Sequence, residues 1–191
     1  TKHADIMEVG KNPGTFLNAP RLVITPFDRD ESFRPPPTLI ELDPPKHREY
    51  RKIISSRFTP RALKRIHADI DRIAKQIVDD LLAKGGASVD FVEQVSAPLP
   101  IAVIAWLLGV PESDWKLLFD WTNRTIGADD PEYSVDGQVG PQAARQSMIE
   151  LYQYFAKLVE EKQKNPADDL ISLFAHAEVN GEKLPPLDVL S

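Results

Sequence analysis

With 191 residues, 42% of them hydrophobic, the chain is long enough to bury a sizeable core and reads as a single domain over residues 1–191 with no internal boundary. A net charge of −6 gives no bulk electrostatic support for nucleic-acid binding, and zero cysteines remove disulfides, Cys-ligated metals and thiol nucleophiles. No signal peptide is visible. The longest apolar run, residues 97–110, is broken by Pro98 and Pro100 and is shorter than the roughly 20 residues that span a bilayer, so a cytoplasmic protein with no membrane or nucleic-acid partner is expected.

In chain order, a short amphipathic helix is expected over residues 4–9, with Asn12-Pro13-Gly14 as its stop. Leu22-Val23-Ile24 reads as a short strand. Residues 26–37 form a loop with Phe27, Phe33 and three consecutive prolines, and its aromatic rings either line a pocket or pin the loop to the core.

Residues 43–65 then hold two helix starts and eight Lys or Arg residues, a basic island in an acidic chain. Asp43 is placed to cap a helix whose first turn takes Pro44 and Pro45, and Thr59-Pro60 repeats the signal. His47, Tyr50, Arg51, Ile54 and Phe58 recur at three- and four-residue steps and are expected on one face. An arginine on a buried stripe needs an anion, which makes Arg51 and His47 a candidate receptor for carboxylate or phosphate. A stripe turned partly to solvent, with snorkelling cations, accounts for the same spacing.

The second helix, residues 60–84, carries Leu63, Ile66, Ile70, Ile73 and Ile77 on one side and ends at Gly85-Gly86. A third helical region after Asp90 runs through Leu108 and is apolar nearly all round, with Gly109 as its C-cap. Residues 111–126 form the next helix, stopped by Gly127. Residues 128–140, with two glycines, read as a mobile loop. A long helix over residues 141–164 is expected to bury Ala144, Met148, Leu151, Tyr152, Phe155 and Leu158 against the preceding helix. Asp168 is a cap for a shorter helix through Ala177, Asn180-Gly181 marks a type I′ hairpin, and Pro185-Pro186 starts a final helical turn. The fold class is mainly α with minor strand.

General catalytic signatures are absent: the four histidines show no metal-ligand spacing, there is no glycine-rich phosphate loop, and Ser113-Asp-Trp-Lys116 is read as helix capping rather than as an acyl-transfer motif.

The sequence LDPPKHREYRKIISSRFTPRAL resembles the segment of bacterial cytochromes P450 in which a DPPxHxxxR turn enters the C helix and an FTPR turn enters the D helix. The likeness extends from a B-helix-like start at His3-Ala4-Asp5 through Leu108-Gly109-Val110-Pro111 to Asp168-Asp169-Leu170-Ile171-Ser172 and Asn180-Gly181-Glu182. It implies an incomplete P450 fold, helices B to H, with the I helix onward missing. It also implies that His47 and Arg51 bind haem propionates, and that Phe33, Leu39, Thr125 and Ile126 contribute to a substrate pocket with residues 128–140 as part of a lid. Further implied are part of a haem-thiolate monooxygenase acting on a hydrophobic small molecule, a ferredoxin or flavin-type redox partner docking on the basic side, and a C-terminal half of the same enzyme. The axial cysteine, the acidic-residue–Thr segment and the ExxR pair of the family are not in the 191 residues, so the chain alone is expected to be inactive and to be a piece of a longer protein. The alternative is a non-catalytic helical binding or interaction module derived from a P450 half.

Overall fold

A computed structural model describes residues 2–19, 37–127 and 141–190. Eight α-helices are named in chain order: α1 His3–Lys11, α2 Lys46–Ile54, α3 Pro60–Leu82, α4 Pro98–Leu108, α5 Trp115–Ile126, α6 Pro141–Lys164, α7 Leu170–Ala175 and α8 Pro186–Val189. Two short strands, β1 Glu178–Val179 and β2 Glu182–Lys183, pair antiparallel with Glu178 opposite Lys183. Asn180 and Gly181 between them take φ of 56° and 83°, the left-handed pair that a type I′ turn requires, as the sequence predicts. The expected strand at residues 22–24, the aromatic loop around Phe27 and Phe33, and the loop over residues 128–140 lie outside the described residues.

The main core is assembled where α4, α5, α6 and α7 converge on Ala105, Val110, Leu118, Leu158, Val159 and Ile171. Helix α4 occupies the middle because it is apolar on all sides. It ends at Gly109, whose φ of 80° closes the helix with a hydrogen bond from Val110 N to the Ala105 carbonyl. Helices α5 and α6 lie together as expected: Trp121 tilts against Tyr154 with ring centroids 5.4 Å apart, and its indole donates to Glu150 Oε2 at 3.1 Å. The buried line of α6 runs through Ser147, Leu158 and Val159, whereas Tyr152 is only half-buried.

Three start signals resolve differently. Thr59 caps α3 as expected, its Oγ1 accepting from Ala62 N. Asp43 does not cap α2. Its carboxylate accepts from the backbone of Asn18 at 2.9 Å and Ala19 at 3.1 Å, which ties the chain after α1 to the entry of α2, and the helix begins one residue past the prolines at Lys46. At α7 the cap is Asp169 rather than Asp168, accepting from Ser172 N at 2.7 Å, because Asp168 is drawn outward into an ion pair with Arg57.

A second, smaller core holds α2 in place. Leu42, Tyr50 and Leu184 are buried together, with Leu39, Ile53, Phe174 and Val179 packed around them, so α2 rests on α7 and the hairpin.

Candidate functional site

Helix α2 divides its side chains between two stripes. Successive residues are rotated by about 100°, so the 47/51 pair and the 46/50 pair form parallel lines one residue apart. The sequence pattern grouped Tyr50 with His47 and Arg51; the packing separates them. Tyr50, 6% exposed, turns into the second core, while His47, Arg51, Ile54 and Phe58 face outward. The helix also ends at Ile54 and tightens into a 3₁₀ turn at Ser55–Phe58, which brings the Phe58 ring back beside Arg51.

The outward stripe lines an open groove of about 430 Å3, formed by His47, Arg48, Arg51, Lys52, Ile54, Ser55 and Phe58. No carboxylate of the described residues lines it. The side chains of His47, Arg48, Arg51 and Lys52 make no hydrogen bond or ion pair with any described residue. Elsewhere the contrast is clear: in the cleft between α3, α4 and α5, Arg72 is paired with Glu112 at 3.2 Å and Lys116 with Asp120 at 2.9 Å. The groove on α2 therefore concentrates positive charge beside two apolar side chains, with no counter-ion supplied by the described residues. Such a surface accepts an anionic group attached to an apolar body, with Arg51 offering a planar fork and His47 a single ring donor.

Two members of the basic island are already engaged. Lys46 Nζ lies 3.1 Å from Asp188 Oδ2, and Arg57 pairs with Asp168. Tyr50 donates its phenol hydrogen to the same Asp188 oxygen, and Lys46 stands 5.0 Å from the centre of the Tyr50 ring. Burial and the carboxylate push the Tyr50 phenol up from its ordinary value, so it stays protonated. Burial raises the Asp188 carboxyl, but hydrogen bonds from Tyr50 and Lys46 outweigh that and hold it below the usual range. This three-membered latch joins residues 138 and 142 positions apart, and no local pattern in the sequence signals it.

The pocket candidates are dispersed. Leu39 packs against the second core and does not line the α2 groove. Thr125 sits near the end of α5 with its Oγ1 buried and without a hydrogen-bond partner among the described residues, a cost of about 1–3 kcal/mol unless another group supplies one. Ile126 is the last residue of α5, and Phe33 lies outside the described residues. Among the described residues no group of three or more His, Asp or Glu side chains is placed to hold a metal ion, and no helix is long and apolar enough to cross a membrane.

No family model matches the chain, but individual relatives do. It is 40% identical over 192 residues to the steroid C26-monooxygenase of Mycobacterium tuberculosis, covering 96% of this chain and 42% of that protein. It is 31% identical over 195 residues to the methyl-branched lipid omega-hydroxylase of the same organism, covering 100% of this chain and 44% of that protein. Among solved structures, a Mycobacterium marinum cytochrome P450 in complex with pseudoionone superposes with a TM-score of 0.73 at 35% identity, over 80% of this chain and 36% of that one. The chain belongs to the cytochrome P450 family, has a partial P450 fold, and spans about 42% of the length of the curated relatives it matches.

Proposed function

We propose that this chain forms the propionate-binding wall and part of the substrate wall of a haem-thiolate monooxygenase that oxidises a hydrophobic substrate of the steroid or lipid class. The observation that carries this reading is the α2 groove, whose four basic side chains have no partner among the described residues. Its donor set fits the carboxylate edge of haem: Arg51 and His47 hold the propionates, and Ile54 and Phe58 pack beside the macrocycle. No residue of the chain is a cysteine, so the axial thiolate is not supplied by these 191 residues.

When bound, haem supplies the activation of O2 and the insertion of one oxygen atom. The chain's own residues bind and orient. Arg51 and His47 hold the carboxylates, the apolar neighbours keep water from that edge, and Thr125, with a hydroxyl unpartnered among the described residues, offers one directional hydrogen bond to a substrate. A steroid or lipid substrate fits this role because the named relatives act on those classes. Arg48, Lys52, Arg61 and Lys64, which have no internal ion pair among the described residues, provide the basic face for an acidic ferredoxin or flavin-type redox partner. By itself the chain is expected to show no monooxygenase activity. The non-catalytic module is not favoured, since the named relatives are monooxygenases or hydroxylases.

The test is a haemin titration of the purified chain followed in the Soret band. The wild-type chain is expected to perturb the band, and Arg51→Ala to weaken binding about tenfold, the loss of one charge-assisted contact worth about 1.4 kcal/mol. No Soret change with wild type, or an unaltered affinity in Arg51→Ala, overturns the assignment.

A further inference from the structure

Helix α2 has nine residues and, among the described residues, packs along one side, so the aim of its outward stripe depends on what fixes its rotation about its own axis. Apolar packing by Tyr50 and Ile53 sets the depth of α2 but is weakly directional. The directional contacts on this side come from Asp188, the third residue of α8. One of its oxygens accepts both the Tyr50 phenol and the Lys46 ammonium, which lie one turn apart on the same stripe. His47 and Arg51 are the residues next in sequence to Lys46 and Tyr50. Two points fixed one turn apart define a helix's rotation, and the neighbouring pair inherits it at a fixed offset of about 100°.

We propose that Asp188 is a positioning residue for the anion groove: by gripping Lys46 and Tyr50 together it sets the rotation of α2 that turns His47 and Arg51 jointly toward one carboxylate-bearing ligand. This rests on the propionate reading above and extends it to a residue on a different element, remote in sequence and not among the residues that line the groove. The lever is geometric. Removing the carboxylate takes the acceptor away from the buried Tyr50 phenol and releases Lys46 to solvent. Among the described residues the helix is then held on this side by the apolar packing of Tyr50 and Ile53 against Leu42, Leu184 and their neighbours, which is weakly directional. Because a guanidinium fork and a ring nitrogen must reach the same ligand, rotation of α2 costs selectivity for the carboxylate before it costs the fold.

The experiment compares haemin with its dimethyl ester, which has the same macrocycle and no free carboxylate, in Soret titrations of the full 191-residue chain. Wild type is expected to prefer haemin about tenfold, Asp188→Ala to bring the two ligands within about twofold, and Asp188→Asn, which keeps an acceptor oxygen for Tyr50, to retain most of the preference. Thermal melts run in parallel identify folded variants, and Tyr50→Phe replaces Asp188→Ala if the latter does not fold. A folded Asp188→Ala that keeps the full preference overturns the proposal. Arg51→Ala separates the two levels: if it abolishes the preference while Asp188→Ala does not, only the positioning role fails. If Arg51→Ala also keeps the preference, the propionate reading fails and takes the positioning role with it.

Discussion

Lys162 and Asp169 form the most enclosed ion pair among the described residues, 2.7 Å apart with side chains 13% and 7% exposed. The pair works because each charge has more than one task. Asp169 also caps α7 through Ser172 N, and its carboxyl group lies directly over Gly109, where a Cβ would collide with it. The end of α4, the end of α6 and the start of α7 are thus fastened at a single carboxylate. Replacing Lys162 by Met strands that carboxylate in a buried setting, and a loss of about 3 kcal/mol is expected. At roughly 3 °C per kcal/mol for a chain of this size, the melting temperature falls by about 9 °C. Gly109→Ala is expected to cost about 1–2 kcal/mol from its left-handed backbone and more from the contact with Asp169. A denaturant midpoint for Gly109→Ala equal to that of wild type would show that the carboxylate moves aside freely.

Helices were legible where one local rule decided them. The Thr59 cap, the Gly109 terminus and the Asn180-Gly181 turn each depend on a few adjacent residues, and each stands where the sequence puts it. Helix α2 was legible as a helix but not in its facing, because periodicity gives the stripe and tertiary packing chooses which half of it is buried. Tyr50 goes inward since its hydroxyl finds Asp188, 138 positions away, and Asp43 leaves its cap for Asn18 and Ala19. The stripe of His47 and Arg51 faces an open groove, the solvent-turned alternative that spacing left open, and their pairing with an anion is a proposal; the latch behind them was not legible, for it joins α2 to α8 across nearly the whole chain. The latch predicts a pH dependence at this scale. The Asp188 carboxyl is held below its ordinary value in the folded chain, so its contribution is present above the unfolded carboxylate range and is lost as pH falls through the lowered folded value. The stability difference between wild type and Asp188→Ala, measured by denaturant midpoints, is expected to be full at neutral pH and to shrink below about pH 4. A difference that stays constant down to about pH 2 would mean that the ionised carboxylate is not what holds the helix.

For the whole molecule, part of the described surface is apolar and sits where helices are left uncovered: Leu82 at the end of α3 is 72% exposed, Phe91 and Val92 at the bend before α4 are each 65% exposed, and Ile104 on α4 is 56% exposed. Helix α4 explains why this surface exists. An element apolar on every side is satisfied only when neighbours surround it, and α3, α5 and α7 leave the side bearing Ile104 open. Burial of such side chains is worth about 1.5–3 kcal/mol each, so two copies of the chain have reason to bring these surfaces together. Sedimentation velocity is expected to show a weight-average mass that rises with concentration, together with binding of an apolar fluorescent dye, and the double variant Phe91→Asp/Ile104→Asp is expected to reduce both. Asp at these exposed positions leaves the main core of Ala105, Leu118, Leu158 and Ile171 untouched, so a change in melting temperature of only a few degrees is expected alongside. A wild-type chain that stays monomeric across the concentration range and binds no dye would mean that these apolar faces cover one another within the single chain.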